Sequence, residues 1–159
     1  MAENVADASL RVLLAFYEEN ARQARYHGAR RHAVTATVAL AMVLLLGAVL
    51  ISAVGDAGLV LCGLVLGALG TWGFLASLHH HERGRLHVER LHAVREAMWE
   101  EFPGGVGDLY GAANEKHRAR FPVFSEKTAR IHWAWQLVHV MAVAAGVVLV
   151  LAGLLGAAL

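Results

Sequence analysis

The chain has 159 residues, enough for about one domain, with 57% hydrophobic and 17% charged residues and a mean hydropathy of +0.48. That apolar excess excludes a disordered chain, which needs high charge and low hydrophobicity, and the lone cysteine, Cys62, excludes a disulfide scaffold. With 14 Lys and Arg against 13 Asp and Glu, the net charge of +1 is too small for nucleic-acid binding by bulk charge.

Residues 1–33 read as an amphipathic helix. Leu10, Leu13, Leu14 and Tyr17 follow the i, i+3, i+4, i+7 pattern, extended by Ala21 and Ala24. Asp7 or Ser9 can cap its start, and Glu18 and Arg22 stand in the favourable i,i+4 order. No proline separates this helix from residues 34–54, a run of 21 residues without a charge. A hydrocarbon core of about 30 Å needs roughly 20 helical residues, so this run predicts a first transmembrane helix. It is not read as a cleaved signal peptide, because 33 residues precede it and a second apolar run follows at once.

After the short hairpin Gly55-Asp56-Ala57, residues 58–78 form another uncharged run of 21, the second transmembrane helix. Helical register then continues through His79 to Glu101, with Gly84 its one weak point. Val88, Leu91, Met98 and Phe102 make an apolar stripe with Val94 beside it, and Arg85 and Glu89 form an i,i+4 pair. A helix over residues 58–101 would be about 66 Å long at 1.5 Å per residue, leaving a stalk of roughly 30 Å beyond the membrane. Such a stripe on an exposed stalk needs a partner, either the N-terminal helix or a neighbouring subunit.

Phe102-Pro103-Gly104-Gly105 ends the stalk, and residues 79–132 as a whole form the stalk and a return segment. Asp108 caps a short helix through about Arg120, and Phe121-Pro122-Val123-Phe124 is an extended turn. Ser125 caps the last helix, with Glu126 in its first turn. Residues 133–159, uncharged throughout, are the third transmembrane helix, with Trp133 and Trp135 at the headgroup level. The fold class is therefore an all-α integral membrane protein.

The basic residues set the orientation. Arg11, Arg22, Arg25, Arg30 and Arg31 precede the first span, and the other nine cations lie between the second and third, which accounts for all 14. Asp56 is the one acid outside those two regions. The positive-inside rule then places the N-terminus in the cytoplasm and the C-terminus outside, with Arg30 and Arg31 at the membrane interface.

Histidine is the conspicuous residue, with 10 in the chain, and five fall close together: His79, His80, His81, His87 and His92. They are candidates for a metal site at the membrane surface. Their spacings argue against it, since none forms an H-x-x-x-H pair and carboxylates at i,i+3 or i,i+4 are sparse. Interfacial solvated histidines are the plainer reading, with pH sensing as the functional one. His139 lies within the third span, where no other span offers a histidine for haem. The spans carry Thr35, Thr37, Ser52, Thr71, Ser77, Gln136 and His139 as their polar groups and no Asp, Glu, Lys or Arg, so no ion-coupling carboxylate is present there. No nucleophile elbow, phosphate loop or dinucleotide fingerprint occurs. No residue reads as catalytic and no cofactor is expected.

Small residues carry the assembly signal. Gly63, Gly67 and Gly70 form one ridge, and Ala142, Gly146, Gly153 and Ala157 form another. One ridge is explained by packing within the chain, and two on different spans suggest that one faces a second copy. Leu91 and Met98 extend that expectation to the stalk.

The order of these parts, from Tyr17, Arg22 and Arg25 through the hairpin to Arg83, Leu91 and Arg95, then Glu100-Glu101-Phe102-Pro103, Asp108-Leu109-Tyr110, Phe121-Pro122-Val123-Phe124 and a Trp-bearing span, resembles the small RipA-family bacterial membrane proteins. It also resembles the SLATT class of two-span effectors, to which this chain would add a third span. The first resemblance implies an octamer, and the second a pore opened by a trigger in bacterial nucleotide-signalling defence. The expectation is a non-enzymatic homo-oligomer of the bacterial inner membrane whose partners are lipid and itself, acting as a scaffold or in stress or defence. A gated pore is the first alternative and a His-rich metal-dependent membrane enzyme the second.

Overall fold

A computed structural model of the chain describes residues 2–52, 54–101, 111–112, 115–116, 119 and 131–157. The expected short helix through Arg120, the Phe121–Phe124 turn and the Ser125 cap lie outside the described residues or almost wholly so. Three long α-helices account for the rest: α1 (Ala2–Ile51), α2 (Asp56–Glu101) and α3 (Ile131–Gly156). Among the described residues there is no strand. Both prolines of the chain, Pro103 and Pro122, fall outside these helices, so neither α1 nor α2 contains the residue that would break it.

The turn between α1 and α2 is short. Ser52 N–H donates to the Ala48 carbonyl at 2.9 Å and closes α1, and Val54 N–H donates to the Ser52 carbonyl at 2.8 Å. Leu59 N–H then donates to the Gly55 carbonyl at 3.0 Å and opens α2. Asp56 stands in the first turn of α2, where the helix dipole favours an acid.

The chain divides into two compact units, one of Met1–His27 with Glu82–Arg130 and the other of Gly28–His81 with Ile131–Leu159. The second unit is a three-helix bundle. Its core is Val38, Leu66, Ala142 and Leu149, with Met42, Leu46, Leu59 and Cys62 among the residues packed around them. Its outer surface is as apolar as its core: Leu44 is 62% exposed, Leu61 63% and Val148 64%. Water would penalise that surface by about 25 cal/mol per Å², whereas hydrocarbon is its natural solvent. All three helices are long and apolar enough to cross a membrane.

In the first unit the faces of α1 differ from the expected stripe. Leu10 and Leu13 are half-buried, but Leu14 and Tyr17 are exposed, as are Val12 and Phe16. The most buried described position there is polar, Asn20. Apolar residues between positions 10 and 17 surround the helix instead of marking one side, so no single face could bury them all. Arg22 pairs with Glu19, one turn back at i,i+3, and not with Glu18. Glu19 also accepts from Gln23 Nε2 at 2.8 Å, which holds its carboxylate on that side. On α2, Arg85 Nη2 lies 3.6 Å from Glu89 Oε1, the expected i,i+4 pair. Leu91, Val94 and Met98 are half-buried, while Val88 is exposed.

Candidate functional site

The polar groups of the three-helix unit sort into two kinds. Thr37 and Thr71 are exposed and donate to the carbonyls of Ala33 and Gly67, each at 2.9 Å and one turn back, so they need no partner on another helix. Thr35, Ser77, Gln136 and His139 are buried and bond between helices. Thr35 Oγ1 lies 3.1 Å from the Arg31 carbonyl and 3.2 Å from His139 Nε2. The carbonyl can only accept, so the hydroxyl proton goes to Arg31 and the imidazole must donate from Nε2. His139 thereby carries a proton on Nε2, with Nδ1 buried and without a hydrogen-bond partner. One turn away on α3, Gln136 Nε2 donates to Ser77 Oγ at 3.3 Å, and its Oε1 is likewise buried and unpartnered. Three helices are cross-linked by two polar contacts in a region otherwise apolar.

Glycine makes room for this arrangement. A Cβ on Gly73 would fall 2.5 Å from His139 Nδ1 and 2.6 Å from Val38 Cγ2, closer than real Cβ atoms come. The two small-residue ridges meet each other. A Cβ on Gly63 would lie 2.5 Å from the Gly146 carbonyl oxygen, and one on Gly146 would lie 2.7 Å from Gly67 N. Gly70 faces Val143, and Gly153 faces Asp56 and Val60. Gly63, Gly70, Gly146 and Gly153 thus serve packing between α2 and α3, where a missing side chain lets the backbones approach closely, while a Cβ on Gly67 would meet nothing within 4 Å. A groove of about 320 Å³ on α2 and α3 is walled by Phe74, Leu75, Val140, Val143 and Ala144, with Thr71 and the buried His139. Since Thr71 is already bonded, the groove offers little polar chemistry.

A second polar layer lies where the apolar runs end. Arg31 Nη1 donates to His81 Nδ1 at 2.9 Å, which fixes His81 as the neutral Nε2–H form, because arginine has no acceptor. The Arg31 Nε is buried without a hydrogen-bond partner, and burial lowers the guanidinium's affinity for its proton below the ordinary value. His32 stacks on Trp135 with ring centres 4.6 Å apart. Burial, then the neighbouring charges of His79 and Arg30, hold the His80 pKa below the usual histidine value.

In the other unit, His87 Nδ1 donates to Asn20 Oδ1 at 3.0 Å, and Asn20 Nδ2 donates to the Phe16 carbonyl at 2.8 Å. The His87 ring stacks on His27 at 5.6 Å. Arg95 lies over the Trp99 ring, 4.8 Å from its centre.

The five clustered histidines are thus not gathered at one point. His79 contacts His80 edge to face at 5.6 Å, His81 faces Arg31, His87 faces Asn20, and His92 is exposed. Among the described residues no group of three or more His, Cys, Asp or Glu is placed to hold a metal ion. Of the interface residues, Trp135 is half-buried against His32, while Trp133 is 62% exposed. The Thr35–His139 contact escaped sequence reasoning, which sought a second histidine at that depth. The available signal was Thr35 at the start of one apolar run and His139 near the start of another.

These features define the class: an all-helical chain with three membrane-length helices and a buried interhelical polar layer. No family model, curated protein or solved structure matches this chain.

Proposed function

We propose that the chain is a homo-oligomeric, non-enzymatic protein of the bacterial inner membrane, with a helical collar on the cytoplasmic side. The observation that carries this reading is apolar surface outside the bundle. Val12 is 55% and Phe16 58% exposed, with Leu14, Tyr17 and Val88 also exposed, on helices that carry charges at nearby positions. Those side chains lie beyond the apolar runs, so lipid tails do not reach them, and another copy of the chain is the partner that could cover them. The segregation of all 14 cations to residues 1–33 and 79–132 supports a cytoplasmic N-terminus and an outward C-terminus. The resemblance to the RipA family adds an octamer as the specific expectation, with a scaffold or a stress or defence role.

Native mass spectrometry of the purified chain in mild detergent tests the assembly: a defined multimer supports it, and a monomer at every concentration overturns it. Alkaline phosphatase fused to the C-terminus should be active if that end is outside. Liposome dye release separates a scaffold, which retains dye, from a pore, which leaks when triggered.

A further inference from the structure

The three-helix unit is electrically lopsided. Its one acid, Asp56, lies in the turn between α1 and α2, where it packs against Gly156 at the far end of α3. Both of its arginines, Arg30 and Arg31, stand at the opposite end. Among the described residues no carboxylate pairs with Arg31: its partner is a neutral imidazole, and its Nε has none. All three helices meet there, because Arg31 of α1 reaches His81 on α2 and His32 of α1 reaches Trp135 on α3. Burial first, then the neighbouring His79 and Arg30, lowers the proton affinity of His80 at the same end. Glu82 is the nearest acid in sequence, follows His81 directly and is exposed.

We infer that this end of the bundle is a binding site for the phosphate of an anionic lipid headgroup. The depth fits, since Arg30–His32 immediately precede one apolar run, His79–His81 immediately follow the next, and Trp133 opens the third. The chemistry fits as well. Guanidinium donors match phosphate oxygens, and Arg31 has donors beyond the one on His81, whose neutral ring leaves the guanidinium charge unpaired. His79 and His80 immediately precede His81 in the chain, and their imidazoles can donate N–H bonds to a phosphate without a further fixed charge. Basic clusters between transmembrane helices bind acidic headgroups for this reason. The inference rests on the helices crossing a bilayer and is independent of whether the chain assembles.

The test is lipid retention. The full chain, purified in mild detergent with equal amounts of dioleoyl phosphatidylglycerol and dioleoyl phosphatidylcholine, is examined by native mass spectrometry. The wild type should hold the anionic lipid over the zwitterionic one by on the order of tenfold. Arg30→Gln with Arg31→Gln should bring the two lipids to near parity. Arg83→Gln with Arg85→Gln removes the same charge outside the bundle and should keep the preference. Equal retention of both lipids by the wild type overturns the site without recourse to any variant, as does an equal loss in the Arg83 and Arg85 control. Loss of the preference in millimolar inorganic phosphate would assign the site to a soluble anion and overturn the lipid assignment. The same spectra report subunit number, so a monomer that prefers the anionic lipid refutes assembly and keeps this site.

Discussion

Gly73 of α2 leaves room for His139 of α3: the imidazole Nδ1 lies 2.5 Å from where a Cβ on residue 73 would stand. Replacement by alanine, Gly73→Ala, must move the ring or Val38, and His139 cannot move far while its Nε2 is held by Thr35. A loss of about 1–3 kcal/mol is expected for such overpacking. Gly63→Ala meets the Gly146 carbonyl, which is backbone, and should cost at least as much. Gly67→Ala points its methyl into open space and should be neutral or gain up to about 1 kcal/mol of helix propensity. Thermal melts of the three variants in one detergent check the order.

Thr35 serves His139 through its hydroxyl. Thr35→Val keeps the shape but leaves the Nε2–H buried without an acceptor, and should cost about 0.5–2 kcal/mol in a membrane interior. Thr35→Ser should keep most of the stability. Nitrogen-15 NMR of the histidines should show His139 protonated at Nε2 in the wild type, and an Nδ1–H tautomer there would contradict the bonding pattern.

His80 sets a pH dependence. Its pKa is lowered in the fold, by burial first and then by His79 and Arg30, so the folded chain binds fewer protons than the unfolded one below the ordinary histidine value. Stability from this group is complete above about pH 6.5 and falls as the pH drops from there through the lowered folded value. Melting temperatures taken across that range should decline, and His80→Gln should decline less. A wild type and His80→Gln with parallel profiles would remove His80 as the cause.

Asn20 joins α1 to α2 within the unit of Met1–His27 and Glu82–Arg130. Asn20→Ala deletes the acceptor for His87 Nδ1 and the donor to the Phe16 carbonyl, leaving a half-buried imidazole N–H unmatched. A cost of about 1–3 kcal/mol is expected. Hydrogen exchange should quicken in residues 8–27 and 82–99 and stay unchanged in 131–157. Equal quickening in all three segments would show that the bond holds more than its own unit.

The sequence by itself determined the helices. Three uncharged runs fix three membrane-length segments because a bilayer demands about 20 apolar residues and satisfied backbone groups. The absence of proline from residues 1–101 carries α1 and α2 through their charged parts without a break. The Arg85–Glu89 pair was legible for the same reason, since i,i+4 spacing is a property of one helix. Contacts between helices depend on how each is rotated against the next, and local spacing does not encode that. Two glycine ridges could each face inward or outward, and only packing showed Gly63 against Gly146. Five neighbouring histidines looked like one cluster along the chain, but successive helical positions diverge by about 100°, which sends His81 to Arg31 and His87 to Asn20. Thr35 and His139 are 104 residues apart. Their contact is decided by tertiary structure alone, because a buried imidazole takes whichever acceptor the neighbouring helix presents at its depth.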